Sequence, residues 1–505
     1  MIDIGGIIGG FTTVLNPAIF GYLVVGFFVG VFFGAVPGLT ATLAIALLLP
    51  LTYGMEPVPA LVMCMGIYMA GIYAGSITAT TINIPGAPSA MMTQREGYPL
   101  MQRGEGARAL GHAAIASAIG GTVGGLVTLF IVGFATALIL VIKTPDKFSL
   151  VLLALVIAAV IQRKDFAKGI IAVTLGLMIA TIGMDRLTSS ARFYFDIPPL
   201  LAGIDLISFI IGVFAISEVL IQAETLWKRT PLAAKLRRRE LIPKLSEIKE
   251  IGLRTYLKSM VIGYFMGVLP GAGGSMAALA AYSEAMRSSK HPERYGKGEV
   301  QGIAAAESAN NTMCGGAMLP MITFGIPGDP VAAVTMAVLL IHGLLPGPYL
   351  VLQQFHIIAP MLAALTLCAA LLIVPSLLLL GQYYIKIASV NRPILYSFIA
   401  MVAMVGAYVA TYVTFQMGMA LLIGVMAYFM RKHNYPLVPL LLGFILGPIA
   451  ELYFRRSLAI SGGSPLIFFT HPASVIFLVL LVIFAYFLGV RPWLQQRKQQ
   501  GGGAA

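Results

Sequence analysis

The sequence predicts an all-α polytopic membrane protein of about twelve helices, arranged as two inverted-topology repeats whose helices or hairpins are broken at Pro-Gly. Three observations carry this expectation. Hydrophobic residues make up 58% of the chain and charged residues 10%, with a mean hydropathy of +0.90, whereas soluble proteins average roughly 25% charged. Apolar runs recur from end to end. Two Pro-Gly motifs occur in the same order in each half.

Taken in order, runs long enough to span cover 19–36, 58–78, 109–141, 148–161, 199–222, 350–380, 395–413, 415–430, 437–450 and 473–490, against about 20 residues per membrane helix. Segments of alternating polarity, the mark of a transmembrane barrel, are missing from the sequence. The start "MIDIGGIIGG" carries neither a basic stretch nor a small-residue cleavage site, so no removable leader is expected. Cys64, Cys314 and Cys368 share no metal or redox spacing and read as small buried apolar groups. The closing "GGGAA" reads as flexible filler.

The net charge of +13 is unevenly spread, and no Lys or Arg occurs before Arg95. The densest basic stretch, Leu226 to Lys258, holds ten basic and three acidic residues. By the positive-inside rule it is a cytoplasmic linker lying on lipid headgroups, and Arg491, Arg497 and Lys498 place the C-terminus on the same side. The expected organisation is therefore a first membrane repeat at 1–223, a linker at 224–254, a second repeat with C-terminal helices at 255–490 and a tail at 491–505. No basic patch is interleaved with aromatics, so no nucleic-acid partner is expected.

The halves share a design. "GAVPGLTATLAI" (Gly34–Ile45) matches "GVLPGAGGSMAA" (Gly267–Ala278), and "TTINIPGAPSAMM" (Thr80–Met92) matches "MITFGIPGDPVAAV" (Met321–Val334). Pro37 thus pairs with Pro270, and Pro85 with Pro327. Between its two motifs the first half has the loop "LTYGMEP", which carries no basic residue, while the second has Arg287, Lys290, Arg294 and Lys297 there. After the second motif the pattern reverses: Arg95, Arg103 and Arg108 follow the first copy, and "HGLLPGPY" follows the second. Corresponding loops then face opposite sides, as in secondary transporters that bind substrate where inverted repeats meet.

Pro-Gly frees carbonyls on one side of a break and N–H groups on the other, suited to a cation and an anion respectively. Unwound backbone at membrane depth is tolerated only where protein or a wet cavity covers it. Polar residues line one helical face ahead of each break: Ser76, Thr80 and Asn83 in the first half, and Glu307, Asn310, Asn311 and Cys314 in the second. The alternative for the hydroxyl residues is helix-packing glue; a carboxylate beside two amides at membrane depth points instead to function. After the first break Ala87 precedes Pro88, which leaves the N–H groups of Ser89, Ala90 and Met91 open to an anion. After the second, Asp329 precedes Pro330 and reads either as a helix cap or as a cation or proton site beside the carbonyls of Gly325 and Ile326.

These motifs, with "GSITATTINIPGAPSAMMTQREGYPLMQRGEGARALG" and "ESANNTMCGGAMLPMITFGIPGDP", resemble the large membrane subunit of the tripartite tricarboxylate transporters, the TctA family, over nearly the whole chain. Gly38, Pro85, Gly86, Pro270, Gly271, Glu307, Asn310, Asn311, Pro327 and Gly328 match the family's motif positions. Asp329 stands where other members carry serine, and Thr312-Met313 replace small residues. The resemblance implies a multi-pass carrier of the bacterial inner membrane that is not an enzyme. Its partners would be a small four-helix membrane subunit and a periplasmic solute-binding protein delivering carboxylates such as citrate. No organic cofactor is implied, and sodium or protons are the expected coupling ion.

The substrate-binding candidates are accordingly Gly38, Thr40, Asn83, Pro85, Gly86, Ser89, Gly271, Asn310, Asn311 and Gly328. The cation-coupling candidates are Thr80, Glu307, Gly325 and Asp329. Two alternatives come from other classes: a channel for small anions, and an intramembrane enzyme using Asp205 and Asp329 as an aspartyl pair. "PGAGG" lacks the Lys-Ser/Thr of a phosphate loop, and neither a Gly-x-Ser-x-Gly nor a His-Glu-x-x-His motif is present.

Overall fold

A computed structural model describes residues 3–161, 166–185, 187–224, 241–387 and 390–492. The most basic part of the expected linker and the tail with Arg497 and Lys498 lie outside the described residues. Within them the structure is helical apart from a two-stranded hairpin pairing Gly183 with Arg192 and Met184 with Ala191. Among the described residues nine helices are long and apolar enough to cross a membrane, and Ile4–Leu15, Ala41–Thr52, Phe166–Ala180 and Pro330–Ile341 are shorter apolar helices. The chain is an all-α polytopic membrane protein.

Three elements depart from the hydropathy reading. The run expected at 199–222 opens as a short 3-10 turn, Pro198–Ala202, because two prolines start it and Gly203 at φ 78° ends it. Its helix begins only at Leu206, where the Asp205 carboxylate caps the Ser208 N–H at 2.9 Å. Phe166–Ala180 is a helix that the list of runs omitted. Val300–Phe324 was hidden as well: it is a 25-residue helix, almost wholly buried, whose Glu, Ser and Asn residues dilute its hydropathy.

The chain divides into two compact units. The first comprises residues 1–136, 218–268 and 273–403; the second comprises 137–217, 269–272 and 404–505. The first unit holds most of the motif-bearing segments of both halves, and its helices include α1 (Ile4–Leu15), α2 (Pro17–Ala35), α3 (Ala41–Thr52), α4 (Pro57–Ile82), α5 (Met91–Gln102), most of α6 (Gly106–Ile139), α7 (Leu253–Val268), α8 (Gly273–Ser288), α9 (Val300–Phe324), α10 (Pro330–Ile341) and α11 (Phe355–Leu367).

Two helix pairs in this unit are built alike. Gly26, Gly30 and Gly34 lay one face of α2 on α4, so close that an added Cβ would fall on the carbonyls of Met63, Ile67 and Gly71. Gly263 and Gly267 lay α7 on α9 in the same way, against the carbonyls of Ala309 and Met313. Without water to drive association, this close backbone approach is how membrane helices gain contact energy.

The loops of this unit are tied in two groups. Glu96 of α5 is fully buried. Its carboxylate accepts from the Tyr282 hydroxyl at 2.6 Å and from the N–H groups of Gly296, Gly298 and Glu299 at 2.5, 2.8 and 2.8 Å. Beside it Arg103 donates to the Lys297 carbonyl at 3.0 Å. In the other group His342 bridges the carbonyls of Val338 and Met55 at 2.8 and 3.1 Å, and the Gly347 N–H donates to the Ile322 carbonyl at 2.9 Å. The start of α4 therefore lies with the end of α9, and the two helices run antiparallel.

In the second unit Phe209 stacks on Phe444 with centroids 3.8 Å apart. Segment 183–203 is clamped there by ions. Arg192 pairs with Asp185 and holds Glu451 at 2.8 Å, while Arg455 reaches Asp185 at 2.7 Å and Glu451 at 3.1 Å. Four non-glycine residues of the segment, Ser189, Phe193, Phe195 and Asp196, adopt positive φ, a strained conformation that surrounding contacts must hold. The Leu187 N–H and the two guanidinium groups hold the Asp185 carboxyl far below the usual carboxylate range. A depressed folded value means that the clamp is fully present above the ordinary carboxylate pKa and is lost as pH falls through the lower one. Exchange of the Leu187 amide, corrected for its intrinsic pH dependence, is expected to stay protected from neutral pH to about pH 4. Opening of the clamp in that interval would contradict the assignment.

Candidate functional site

Each long helix ends at its Pro-Gly break in the same way. Asn83 closes α4 in the left-handed conformation at φ 58°, ψ 29°, and Gly325, its partner in the register that pairs Pro85 with Pro327, closes α9 at φ 71°, ψ 23°. A left-handed residue stops the helix by turning its last N–H groups back on preceding carbonyls. The chain then folds back along the helix it has just left. The Gly86 N–H donates to the Gly75 carbonyl at 3.3 Å.

Gly86 rests on the Gly34 carbonyl, and Gly328 rests on the Gly267 carbonyl beside Ala317. The second motif of each half thus sits on the glycine that opens the first. These are the positions where the break needs a residue without a side chain.

The two halves meet where α4 crosses α9. Asn311 donates from Nδ2 to the Met69 carbonyl at 3.2 Å and to its sulfur at 3.1 Å, and these two residues are partners in the repeat register. Beside them the Tyr68 hydroxyl donates to the Met313 sulfur at 3.7 Å and lies within interaction range of Cys314 and Asp329.

Around this crossing lies a set of buried polar groups. Glu307 accepts from Ser117 of α6 at 3.1 Å and from Thr93 of α5. Both side-chain atoms of Asn310, the Oδ1 of Asn311 and the hydroxyls of Tyr73, Thr78, Thr80 and Ser89 are buried without a protein hydrogen-bond partner among the described residues. Ser89 and Asn310 converge on Gly274, where an added Cβ would meet both. An orphaned polar group in an apolar interior costs about 1–3 kcal/mol. The two that converge on Gly274, Ser89 and Asn310, call for a ligand or a role.

The sequence candidates fare differently. Glu307, Asn310, Asn311 and Ser89 come together, and Thr80 packs on Gly97 of α5. Asn83 is exposed, and its Oδ1 and backbone carbonyl accept from Gln94 at 3.0 and 2.7 Å, which leaves its Nδ2 as the donor for a ligand. Thr40 caps α3 through the Leu43 N–H at 3.2 Å. Gly38, at φ 93°, turns the chain beside Glu218 and Gln222. Gly271, at φ 79°, belongs to the second unit and lies against Ala158. Pro85 precedes the Gly86 contact, and Gly328 packs as described.

The expected row of open N–H groups after the first break needs correction. Pro88–Ala90 forms a 3-10 turn in which Ala90 donates to the Ala87 carbonyl at 2.9 Å and Met91 to that of Pro88. After the second break, the cap reading of Asp329 is the one the geometry supports, since its carboxylate takes the Ala332 N–H at 2.8 Å. Asp205 is likewise a cap.

Thr93, Ser117, Tyr68 and Tyr73 were not foreseen. Thr93 follows Ser89 by one helical turn and could have been found by periodicity from the break. Ser117 sits in a long helix with no motif around it and carries no such signal.

A family model described as "Tripartite tricarboxylate transporter TctA family" matches residues 20–442. An uncharacterized 52.8 kDa protein of the TAR-I ttuC' 3' region of Agrobacterium vitis is 31% identical over 468 residues, covering 92% of each chain. A second protein of the same organism, from the TAR-II ttuC' 3' region, is 31% identical over 238 residues, 47% of this chain and 98% of that one. No solved structure matches. Replacing Gly86 or Gly328 by alanine is expected to cost about 1–3 kcal/mol, read as a lowered midpoint of thermal unfolding in detergent. The same change at Gly9, with open space around its Cβ position, should leave the midpoint unmoved.

Proposed function

Since the chain belongs to the tripartite tricarboxylate transporter TctA family, we propose that it is the permease subunit of a binding-protein-dependent secondary carrier importing small carboxylates across a bacterial inner membrane. A periplasmic solute-binding protein delivers the substrate, a small four-helix membrane subunit completes the complex, and a sodium or proton gradient drives it. The observation that carries this reading is the orphaned Asn310 amide and Ser89 hydroxyl converging on Gly274, next to the contact of Asn311 with Met69 that joins α4 to α9. In transporters built from inverted repeats, that crossing is where substrate and coupling ion bind.

The inverted arrangement is supported by the loop ties. Arg103 bonds to the loop that precedes α9, and Met55, ahead of α4, bonds to His342, behind α10. Each tie joins loops that do not correspond in the repeat register, as antiparallel repeats require. Single cysteines at Arg103 and Arg294 are therefore expected to react from the cytoplasmic side, and cysteines at Glu56 and Tyr349 from the periplasmic side. Labelling of the first two from opposite faces would end the inverted-repeat reading.

Within the site, the first break suits the anion and the second suits coupling. A fixed Asp329 carboxylate repels an anion by a few kcal/mol at an effective dielectric near 20, whereas Ala87, its register partner, carries no charge. The substrate carboxylate then takes donors from Asn83, Ser89 and Asn310, while Asn311, its Nδ2 held by Met69, would have to release that contact to join them, and Gly86 and Gly328 admit close backbone approach. Thr80, Glu307, Gly325 and Asp329 remain on the cation side. Uptake measured in proteoliposomes with the two partner subunits separates these roles. Asn83→Ala should weaken carboxylate affinity roughly tenfold, the loss of about 1.4 kcal/mol, at fixed cation. Asp329→Asn should alter mainly the cation or pH dependence. The reverse pattern would sink the assignment.

A further inference from the structure

We infer that Glu307 is the proton carrier of this permease: one proton bound to its carboxyl enters with each anion, and Asn310 transmits its presence to the first Pro-Gly loop. This rests on the carrier reading above and names the ion that reading leaves open between sodium and protons.

Glu307 lies in the middle of α9 and is fully buried. Each carboxylate oxygen receives one hydroxyl, Thr93 on one and Ser117 on the other. The groups that face it are few. From α4 comes the Tyr73 phenol, with Tyr384 beyond it. From α5 comes Thr93, while the neighbouring acid, Glu96, is taken up by the 296–299 loop. From α6 comes Ser117, and His112, one turn earlier on that helix, is engaged by Glu247 at 3.3 Å. From its own helix comes Asn310. None is a cation, and an uncompensated carboxylate at this depth is too costly to persist. A small positive ion must join it.

The surroundings suit a proton better than a metal. Hard cations take about six or more oxygens, and transporters draw many of these from unwound backbone. At Glu307 the helices α5, α6 and α9 are regular and keep their carbonyls in their own ladders. Among the described residues the side-chain oxygens of Glu307, Thr93, Ser117, Asn310 and Tyr73 would only just reach that number, and Thr93 and Ser117 already turn their hydroxyls to the carboxylate as donors, the arrangement of a hydrogen-bonded acid and not of a metal shell. A proton needs a single acceptor, and the Asn310 amide one turn along the helix can supply it: its Oδ1 is buried without a partner beside Gly274 and comes to Glu307 when the amide turns over.

The same amide reaches the first loop, because Asn310 and Ser89 converge on Gly274. When Glu307 is protonated, its O–H donates to Oδ1 and turns Nδ2 toward Ser89, where it can meet an anion. When Glu307 is ionised, Nδ2 is drawn to the carboxylate and Oδ1 faces the loop, repelling an anion. Proton and anion therefore bind together or not at all, and each raises the affinity for the other by the same factor. The proton is taken up on one side with the anion and released on the other.

The test uses the full complex in proteoliposomes with a trapped pH indicator and a panel of labelled mono-, di- and tricarboxylates. Wild-type uptake should acidify the lumen, and a one-unit inward pH gradient should drive accumulation of up to about tenfold. Glu307→Gln should abolish acidification and gradient-driven accumulation, and the carboxylate exchange it retains should no longer vary with pH. Should that variant fail to fold, Ser117→Ala removes one donor from the carboxylate and should move the pH of half-maximal exchange upward at unchanged yield. Acidification by Glu307→Gln at the wild-type rate, an unmoved profile in Ser117→Ala, or wild-type uptake driven by sodium without acidification would each overturn the proton assignment. Wild-type complex that exchanges no carboxylate of the panel would instead remove the carrier reading, and the inference with it.

Discussion

A peptide group left unpaired in hydrocarbon costs several kcal/mol, and everything particular about this chain follows from breaking two helices under that constraint. Neither break is free in the bilayer. Each folds back along its own helix and rests on a glycine carbonyl of the preceding one, Gly86 on Gly34 and Gly328 on Gly267. Those glycines in turn belong to the stripes that bring α2 onto α4 and α7 onto α9. The stripes therefore do more than pack helices: they create the one surface against which a broken helix can hide its backbone.

That shared scaffold makes the differences between the halves informative. Where backbone geometry is required, the register partners agree: Asn83 with Gly325, Gly86 with Gly328, Pro88 with Pro330. Where chemistry is carried, they diverge. Ala87 stands opposite Asp329, Tyr68 opposite Asn310, Met69 opposite Asn311 and Met65 opposite Glu307. One half supplies apolar and phenolic partners, and the other supplies amides and a carboxylate. The backbone geometry shared by the two motifs thus carries different side-chain chemistry in each half.

Much of this was legible in the sequence because the same residues state both the break and its purpose. Pro-Gly after a polar stripe identified the two hairpins, and the alternation of basic loops suggested how the halves are turned. Hydropathy alone failed where function was densest. Val300–Phe324 was invisible as a span because Glu307, Ser308, Asn310 and Asn311 lower its apolar content, yet burial inside the protein lets it lie wholly out of water. The partners Ser117 and Tyr73 were unreadable for the opposite reason. They sit singly on long apolar helices, and only tertiary packing decides that such a hydroxyl meets a carboxylate. The open donor row after Pro88 was misjudged because a 3-10 turn closes on itself more tightly than the α-helical start assumed for it.

The two sets of loop ties differ in kind, and this bears on which face of the first unit yields first. On one face a single buried carboxylate, Glu96, gathers a phenol and three backbone N–H groups. Bonds to a charged acceptor are the strong ones, and parting α5 from the loop would leave four donors and a charge to be resolvated together. On the other face His342 spans two carbonyls. In the register that pairs Pro85 with Pro327, Glu96 corresponds to Val338, so the fold itself does not impose the stronger tie. It was added to one side. A carrier built from equivalent halves has no intrinsic preference between its two openings, and an unequal pair of ties is the simplest physical means of giving it one.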